Sequence, residues 1–363
     1  MTWDAWADGE ARTIRADGRW REPRDPEAGL VTFASNDYLG LTHHPAVIAA
    51  AHATLDRDGT GSGSARLIVG SRPVHRELER DLAEWKGMPR AALFPTGFAT
   101  NLGVLATFGG PGVLICSDEL NHASIIDGCR LARADVAVYH HNDVDHLSTL
   151  LRNRGARRAL VVTDTVFSMD GDRANLTAVV DLCTREGALL VLDEAHAVLG
   201  PELDNSPAEL TVLRVGTLSK TLGALGGFVA GPARYIELVE NLARPYIFTP
   251  APTPADSAAA LAALRVLRSA QGDALVARLR SLVDRVRPAH PSPIVPFVVG
   301  SEHAALEAAA ALREHGVIVP AIRPPTVAPG TARLRVTVSA AHTDAEVDQL
   351  ARALDAVLTH QPA

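Results

Sequence analysis

The fold is decided by residues 159–196, ALVVTDTVFSMDGDRANLTAVVDLCTREGALLVLDEAH. The apolar runs ALVVTD (159–164) and ALLVLD (188–193) have the length and residue types of buried strands. NLTAVVDLCTREG between them has the period of an amphipathic helix. The same alternation extends outward, with strands predicted at AALF (91–94), VLIC (113–116), DVAVY (135–139), TVLRVG (211–216) and GGFVAG (226–231). Because strands alternate with helices, we predict an α/β fold with a mostly parallel sheet covered on both faces.

The pattern changes after Pro254, where long helices rich in Ala, Leu and Arg replace the alternation. Two isolated strands, IVPFVV and RLRVTV, and a last helix from Thr343 follow. This order is typical of a smaller α+β domain. We therefore predict three parts, which are an N-terminal segment 1–34, a large domain 35–265 and a small C-terminal domain 266–363.

Composition and charge limit the classes of function. The chain has 363 residues, 47% of them hydrophobic, and a net charge of −7. An acidic chain of this kind offers no basic field to nucleic acid or to an anionic membrane. It also contains no apolar stretch that would serve as a signal peptide or a membrane span, so we expect a soluble, cytoplasmic protein. The chain has three cysteines, Cys116, Cys129 and Cys183, and their spacing is not that of metal ligands. We expect them to be reduced thiols in the core, and we predict no metal site.

Polar residues follow the carboxyl ends of five predicted strands. Ligands of doubly wound folds bind in the crevice at those ends. Because the ends of parallel strands meet at one edge of the sheet, we expect these residues to converge on one site. The clusters are Thr96-Gly97, Asp118 to His122, Ser168, Asp193 to His196 and Thr217 to Lys220.

Lysine is almost absent from the chain. Of its 35 basic residues only Lys86 and Lys220 are lysine, and the rest are arginine. A lysine amine can lose its proton and form a Schiff base, whereas arginine stays protonated. Lys220 lies among small and apolar residues in VGTLSKTLGALGG, which favours a nucleophile over a solvated charge. Lys86, at a predicted helix end, is interpreted as an ordinary surface charge.

Three other side chains suggest a site for a heteroaromatic ring. Asp193 ends an apolar run, so its carboxylate needs a cationic partner, which a protonated pyridine nitrogen would supply. His196 is placed to hydrogen-bond a phenolic oxygen of that ring, and His122 to stack on its face. A structural aspartate and a capping or core histidine remain alternatives. A DEAH-box ATPase is disfavoured, because the chain has no phosphate-binding GxxxxGK[ST] loop.

A phosphate would fit where Thr96-Gly97-Phe98 opens a predicted helix, because free backbone N–H groups and the helix dipole attract anions there. Gly97 would permit close approach of the backbone, although many strand–helix turns contain glycine. Ser168 and Thr217 offer hydroxyls to a phosphate or ring oxygen, and each is equally suited to be a local cap.

Nine motifs resemble the fold type I enzymes that use pyridoxal 5′-phosphate (PLP), and among them the α-oxoamine synthases. They occur in family order over residues 35–342: SNDYLGLTHHP, GSGSARLIVGS, LFPTGFATN, NHASIIDG, TDTVFSMDGD, VLDEAH, TLSKTLGALGG, RPYIFT and RLRVTVSAAH. The resemblance implies that Lys220 carries PLP as a Schiff base and that Asp193 contacts the pyridinium nitrogen. It implies catalytic roles for His122, stacked on the ring, and His196, on the phenolic oxygen. Further implied cofactor contacts are Gly97, Phe98, Ser168 and Thr217.

The segment AIRPPTVAPGTARLR (321–335) resembles the branch of that family that acts in biotin biosynthesis. This resemblance implies decarboxylative condensation of L-alanine with a pimeloyl thioester, carried by coenzyme A (pimeloyl-CoA) or by acyl carrier protein (pimeloyl-ACP). The implied substrate contacts are Asn36, His122, Arg323, Thr326, Arg335 and, for the distal carboxylate, Arg15 with Arg12 as second choice. The alternatives are a 2-amino-3-ketobutyrate ligase, a 5-aminolevulinate synthase, or an aminotransferase or aldolase of the same fold. Retention of Lys220 argues against a catalytically inactive partner subunit.

RPYIFT (244–249) bears on the assembly, because it is too apolar for a free loop. In the family this segment reaches the phosphate of the partner subunit's cofactor. The resemblance therefore implies a homodimer with shared active sites, to which Phe248 and Thr249 contribute. An ordinary connector packed on its own chain is the alternative.

Three departures from the family pattern are present. The segment AVLGPELDNSP (197–207) is shorter than the usual Gly-rich loop, Asn175 replaces a proline, and the N-terminal segment is short.

Overall fold

The computed structural model describes residues 2–23, 27–201, 203 and 207–359. Its strands are β1 (Val31–Thr32), β2 (Arg90–Phe94), β3 (Val113–Asp118), β4 (Asp135–Tyr139), β5 (Arg158–Asp164), β6 (Leu189–Asp193), β7 (Val212–Thr217), β8 (Gly227–Gly231), β9 (Ile294–Gly300), β10 (Val317–Ile318), β11 (Ala321–Ile322) and β12 (Ala332–Thr337). Its helices are α1 (Trp3–Ala16), α2 (Pro45–Asp58), α3 (Pro73–Trp85), α4 (Gly97–Phe108), α5 (Ala123–Leu131), α6 (Val144–Arg152), α7 (Leu176–Glu186), α8 (Ala233–Leu242), α9 (Arg244–Ile247), α10 (Pro254–Leu267), α11 (Ala270–Val286), α12 (Glu302–Glu314) and α13 (Asp344–Leu358). A 3₁₀ turn, Leu41–His43, and a π-helical turn, Arg66–Gly70, complete the described elements.

The predicted strands of the large sheet all occur, in the spatial order β2-β8-β7-β6-β5-β3-β4. Neighbours from β7 to β4 run parallel, whereas β8 is antiparallel to both β2 and β7. The register of β5 with β6 places Asp164 directly beside Asp193. The prediction of an α/β fold with a mostly parallel sheet is therefore confirmed, and its strand ends present polar residues at one edge.

Both faces of this sheet are covered by apolar side chains, as near-continuous apolar strands require. Successive residues of β3 point to opposite faces, so Ile115 joins the core under α4, α5 and α8, while Cys116 joins the core under α6 and α7. All three cysteines are buried and free of disulfides, which confirms the prediction of core thiols. Burial raises the pKa of Cys116 to about 11, so the thiol is protonated and inert at neutral pH.

Helix starts follow from local side chains. Thr96 caps α4, where its hydroxyl accepts the N–H of Ala99 at 3.0 Å. Asn175 caps α7 by accepting the N–H of Ala178 at 3.4 Å, so the residue that replaces the family's proline still begins this helix. Gly187 ends α7 with φ of 61°, a conformation that glycine adopts without strain.

The chain forms two compact units. The large unit comprises Ser35–Val295 and Thr337–Val347, and the small unit comprises Met1–Ala34, Pro296–Val336 and Asp348–Ala363. The predicted division after residue 265 differs from these units, since α11 belongs to the large unit and residues before Ser35 belong to the small one. The physical reason is the parallel pairing of β1 with β10, which joins the N-terminal segment to the C-terminal part of the chain.

The small unit contains the three-stranded sheet β11-β12-β9 and the pair β1-β10. Its first helix, α1, is capped by Thr2 and has no buried residue. Within the described part of the chain, no helix has the length and apolarity needed to cross a membrane.

Candidate active site

A cavity of about 240 Å³ lies in the large unit, at the carboxyl ends of the parallel strands. Seven of the predicted cofactor residues line it, namely Gly97, Phe98, His122, Asp193, His196, Thr217 and Lys220. Further lining residues are Thr96, Asn101, Ser124, Asp164, Ala195, Val215, Gly216 and Ser219. Ser168, Phe248 and Thr249 are not among the residues that line it. The strand ends therefore converge as expected for a doubly wound sheet.

Lys220 lies in the turn after β7, and its amine is held by a histidine. The Nζ atom is 2.9 Å from Nε2 of His196, and Nδ1 of that ring is 2.5 Å from the hydroxyl of Tyr38. Tyr38 is fully buried. Gly223 shapes the turn at φ of 60°, where an added Cβ would come within 2.6 Å of the Thr42 backbone nitrogen. The amine thus has a fixed position and a hydrogen-bonded partner that can share its proton.

Asp193 ends β6 and is 5% exposed. Its Oδ1 accepts the N–H of Ala195 at 2.9 Å, and its Oδ2 accepts an N–H of Asn101 at 2.6 Å. Both donors are uncharged, so the carboxylate is oriented without being neutralised by them. A cationic N–H from a ligand in the cavity would complete the site electrostatically.

Asp164 is a second carboxyl group beside Asp193, contributed by the neighbouring strand β5. Its Oδ2 accepts the backbone N–H of His122 at 2.8 Å. Burial, together with the negative charge of Asp193, raises the pKa of Asp164 well above its usual value. A proton is therefore held more readily at Asp164, since two adjacent buried carboxylates cannot both ionise cheaply.

His122 caps α5 and presents an imidazole to the cavity. Its Nδ1 accepts the backbone N–H of Ser124 at 3.2 Å and lies 2.7 Å from that residue's hydroxyl. Burial lowers the pKa of His122, so the ring is neutral at pH 7. The ring of Phe98 lies edge-on to it, with centroids 6.3 Å apart. A neutral, laterally supported imidazole is suited to stack on a flat ligand.

The part of the cavity next to the start of α4 has the properties of an anion site. The amino terminus of α4 begins there with Thr96 as its cap, and the helix is 12 residues long. The hydroxyl of Thr217 lies 2.7 Å from that of Ser219 in the same part. A Cβ on Gly97 would come within 3.2 Å of the Thr217 side chain, so glycine keeps this space open. Helix N–H groups and hydroxyls together suit a phosphate.

These groups fit PLP in their chemistry. An amine is available for the aldehyde, a carboxylate for the pyridine nitrogen, a neutral imidazole for the ring face, and a helix terminus with hydroxyls for the phosphate.

Lys86 was interpreted as a surface charge, and the structure shows that this was wrong. Its side chain is 9% exposed, and Nζ lies 2.8 Å from a carboxylate oxygen of Glu194 and 3.6 Å from the centroid of the Trp85 ring. Arg214 binds the other oxygen of Glu194 at 2.7 Å. Glu194, buried next to Asp193, needs cations that only tertiary contacts supply. This group borders a larger cavity of about 700 Å³ that does not include Lys220.

The predicted substrate residues lie in both units. In the large unit, the side-chain oxygen of Asn36 accepts the hydroxyl of Tyr38 at 3.2 Å. In the small unit, Arg335 on β12 is buried, and Nη1 of Arg323 donates to the carbonyl of Gly18 at 2.5 Å. The hydroxyl of Thr326 accepts from Arg21 at 3.4 Å, and the guanidinium of Arg15 lies 3.9 Å from the centroid of the Trp20 ring. In the shortened segment 197–207, residues 202 and 204–206 lie outside the described part of the chain.

Several residues that line or support the cavity were not predicted as site residues, among them the polar side chains of Tyr38, Asn101, Ser124 and Asp164. Tyr38, Asn101 and Asp164 act through partners far along the chain, and Ser124 links the distant Asn101 to its neighbour His122, so local sequence carries little chemical signal for their roles. One usable signal was helical spacing. Asn101 follows Gly97 by four residues in α4 and so lies on the same helix face as the predicted phosphate site.

Comparison with known proteins identifies the family of the chain. Residues 28–354 match the aminotransferase class I and II family. A relative named 8-amino-7-oxononanoate synthase, from Anaeromyxobacter dehalogenans (strain 2CP-1 / ATCC BAA-258), is 48% identical over 98% of this chain and 96% of its own. Another of that name, from Methylobacterium sp. (strain 4-46), is 47% identical over 94% of this chain and 90% of its own.

The chain belongs to the 8-amino-7-oxononanoate synthase family. It is a PLP-dependent acyltransferase with the fold of the class I and II aminotransferases.

Two solved structures share the fold of this chain. A serine palmitoyltransferase from S. paucimobilis, solved with PLP and myriocin, superposes with a TM-score of 0.89 at 28% identity, covering 99% of this chain and 100% of that one. An 8-amino-7-oxononanoate synthase from Francisella tularensis superposes with a TM-score of 0.75 at 26% identity, covering 92% and 98%.

Proposed function

We propose that this enzyme condenses L-alanine with a pimeloyl thioester, releasing CO2 and free coenzyme A or acyl carrier protein and forming 8-amino-7-oxononanoate for biotin biosynthesis. The observation that carries the proposal is the placement of the Lys220 amine, 2.9 Å from His196, in one cavity with Asp193 and His122. The name and near full-length identity of the relatives support the choice of substrates.

Bound PLP would supply an electron sink for the loss of a proton and of CO2 at the amino-acid carbon. Lys220 would bind the aldehyde, and its Nζ is the group placed to take the Cα proton of the amino acid. His196 holds that amine, Tyr38 binds the other nitrogen of the same imidazole, and Asp193 would keep the ring nitrogen protonated. The phosphate would be held at the start of α4, with Thr217 and Ser168 as further contacts.

The substrate contacts belong to the same proposal. Arg335 binds the carboxylate of alanine, a role that suits its bidentate guanidinium. Arg323 and Thr326 border the acyl chain, and Asn36 contacts the substrate near the catalytic group. Arg15 meets the distal carboxylate of the pimeloyl group.

We also propose a homodimer in which Phe248 and Thr249 of one subunit complete the other subunit's site. Its support is exposed apolar surface in the large unit. Phe248 is 67% exposed, and the π-helical turn exposes Leu67, Ile68 and Val69 by 51%, 73% and 71%. Contiguous apolar residues of this kind mark protein interfaces more often than free surface. The cytoplasmic location expected from the sequence stays a prediction.

The deciding experiment is turnover of pimeloyl-CoA, and separately of pimeloyl-ACP, with L-alanine and with glycine, read by the mass of the product. We expect 8-amino-7-oxononanoate from alanine and little product from glycine. Lys220→Ala is the control for turnover without the enzyme's amine. Preference for glycine with acetyl-CoA would move the enzyme to 2-amino-3-ketobutyrate ligase chemistry.

A further inference from the structure

Asn101 bridges Asp193 and Ser124 in the active site. It lies on α4 and is 1% exposed. Its Nδ2 atom carries two hydrogens, and both are used. One is donated to Oδ2 of Asp193 at 2.6 Å and the other to the hydroxyl oxygen of Ser124 at 2.9 Å.

The orientation of this amide is fixed by its neighbours. Its Oδ1 has no hydrogen-bond partner among the residues that the structure describes. Turning the amide over would bring Oδ1 to the position of Nδ2, 2.6 Å from a carboxylate oxygen of Asp193. Two acceptors at that distance repel each other, so only the observed orientation is compatible with an ionised Asp193.

Ser124 passes this constraint to His122. Because its hydroxyl oxygen accepts from Asn101, its own hydrogen is available to Nδ1 of His122 at 2.7 Å. The backbone N–H of Ser124 donates to the same nitrogen at 3.2 Å. Two donors aimed at Nδ1 leave it without a proton, and the proton of the neutral ring is therefore on Nε2.

We propose that Asn101 and Ser124 are positioning residues that couple Asp193 to His122 and hold His122 in its Nε2–H tautomer. The group that would contact the pyridine nitrogen and the ring that would stack on the cofactor are then oriented by one hydrogen-bonded chain. Displacing either end disturbs the other. The proposal rests on the proposed function only for its consequence in catalysis, since the chain of hydrogen bonds exists in the protein alone.

The test relies on effects at a distance. Asn101 does not hydrogen-bond His122, and Ser124 does not hydrogen-bond Asp193. In PLP-free protein labelled with ¹⁵N-histidine, we expect Nδ1 of His122 to resonate as an unprotonated acceptor. That resonance moves in Asn101→Ala as well as in Ser124→Ala. It is assigned among the 14 histidines by its loss in His122→Asn.

PLP affinity gives the reciprocal measurement. We expect Ser124→Ala to weaken the Kd for PLP about tenfold, as loss of a hydrogen bond in a network with a charged group would. The double variant with Asn101→Ala should be no weaker than the worse single variant, because both act through one chain. Ser117→Ala is the matched control. This buried hydroxyl on β3 accepts a hydrogen bond from Asn121 and is not part of the hydrogen-bonded series Asp193–Asn101–Ser124–His122.

Each outcome decides the proposal. A proton on Nδ1 in the wild type, an unmoved His122 resonance in either variant, or additive losses of PLP affinity would overturn it. Should Asn101→Ala fail to fold, the wild-type tautomer and the Ser124→Ala affinity still decide. These measurements use no acyl substrate, so a wrong substrate assignment would leave them unchanged.

Discussion

The hydrogen bonds that position Asp193 and Lys220 in the cavity come from uncharged groups, so they orient the carboxylate and the amine without pairing either with an opposite charge. Asp193 accepts from an amide and a backbone N–H, and the Lys220 amine lies against an imidazole nitrogen. By contrast, Glu194 next to Asp193 is bound by two cations, Lys86 and Arg214. Burial by itself would raise the pKa of Glu194, but the charges of Lys86 and Arg214 outweigh burial and lower it, so this carboxylate is the fixed anionic partner of two cations.

The rarity of lysine makes the covalent assignment directly testable. Borohydride reduction of the PLP-loaded enzyme should fix the cofactor to the peptide that contains Lys220, found by mass spectrometry. Lys220→Ala should carry no label and should lose turnover while keeping its melting temperature, because the lost group is chemical. Lys86→Arg is the control, and it should still be labelled. Label on Lys86 in the wild type would refute the assignment.

Asp193→Asn tests the role of the carboxylate. A neutral amide cannot hold a ring nitrogen protonated, so we expect PLP to bind and kcat to fall by about 10²-fold or more, as for other preorganised electrostatic partners. Steady-state kinetics with alanine, and PLP titration by absorbance, separate the two effects. Turnover close to that of the wild type would show that Asp193 has another role.

At the scale of elements, the site depends on how closely β8 approaches the start of α4. A Cβ on Gly227 would lie 2.5 Å from both the backbone nitrogen of Gly97 and the hydroxyl of Thr100. Gly227 is the first residue of β8, and Gly97 is the first residue of α4. The absent side chain therefore sets where the helix terminus can lie.

Gly227→Ala should push the amino terminus of α4 away from the sheet and weaken PLP binding by at least about tenfold, since such backbone contacts cannot relax cheaply. The Kd is measured by absorbance titration, together with the melting temperature. Gly110→Ala is the matched control, because nothing lies within 4 Å of a Cβ there. Equal affinity in both variants would contradict this account of the phosphate site.

His141 joins the end of β3 to the turn before α7. Its Nδ1 lies 3.0 Å from Asp118 and its Nε2 lies 2.8 Å from Asp172. Burial lowers the pKa of His141, but the hydrogen bonds that the ring donates to these carboxylates, and their negative charges, outweigh burial and raise the pKa from 6.5 to about 10. Because the folded protein holds this proton more tightly than the unfolded chain, the stabilisation is complete below pH 6.5. It is lost as the pH rises toward 10.

We therefore expect the unfolding free energy of the wild type to fall with rising pH between 6.5 and 10 more steeply than that of His141→Gln. The difference in slope is at most about 1.4 kcal/mol per pH unit, the value for one proton. Urea unfolding of PLP-free protein at fixed concentration measures it. Parallel curves for the two proteins would show that His141 is not protonated between the carboxylates.

At the scale of the whole molecule, chain order and spatial order differ. The small unit combines the first residues of the chain with segments near its end, through β1 and β10. The large unit carries the cavity and the exposed apolar residues around Phe248. A C2 interface is self-complementary, so one such patch would serve both sites of a dimer.

Hybrid dimers test the proposed sharing of sites. Lys220→Ala subunits are mixed with subunits inactivated by Phe248→Ala and Thr249→Ala, after reversible dissociation. If sites are shared, each hybrid contains one site with both defects and one intact site, so about half the activity per hybrid returns. If each chain builds its own site, every site in the hybrid carries a defect. Activity that stays at the level of the separate variants would then rule out sharing.

The sequence alone determined the α/β fold, because buried parallel strands must be apolar runs and the helices between them must be amphipathic. It also singled out Lys220, since an amine among small apolar residues is chemically conspicuous in a chain of arginines. Asp193 and His196 followed from their place at a strand end, where ligands of this fold bind.

Only the tertiary structure decided which side chains hold Lys220, Asp193 and His196 in place. Tyr38 and His196 are 158 positions apart, and Asn101 and Asp193 are 92 apart. Lys86 is a buried partner of Glu194, and β1 pairs with β10, because packing brings together residues that are distant in the chain. Periodicity reports which face of an element is buried, but the partner that a buried polar group or a strand edge meets is set by the packing of elements distant in the chain.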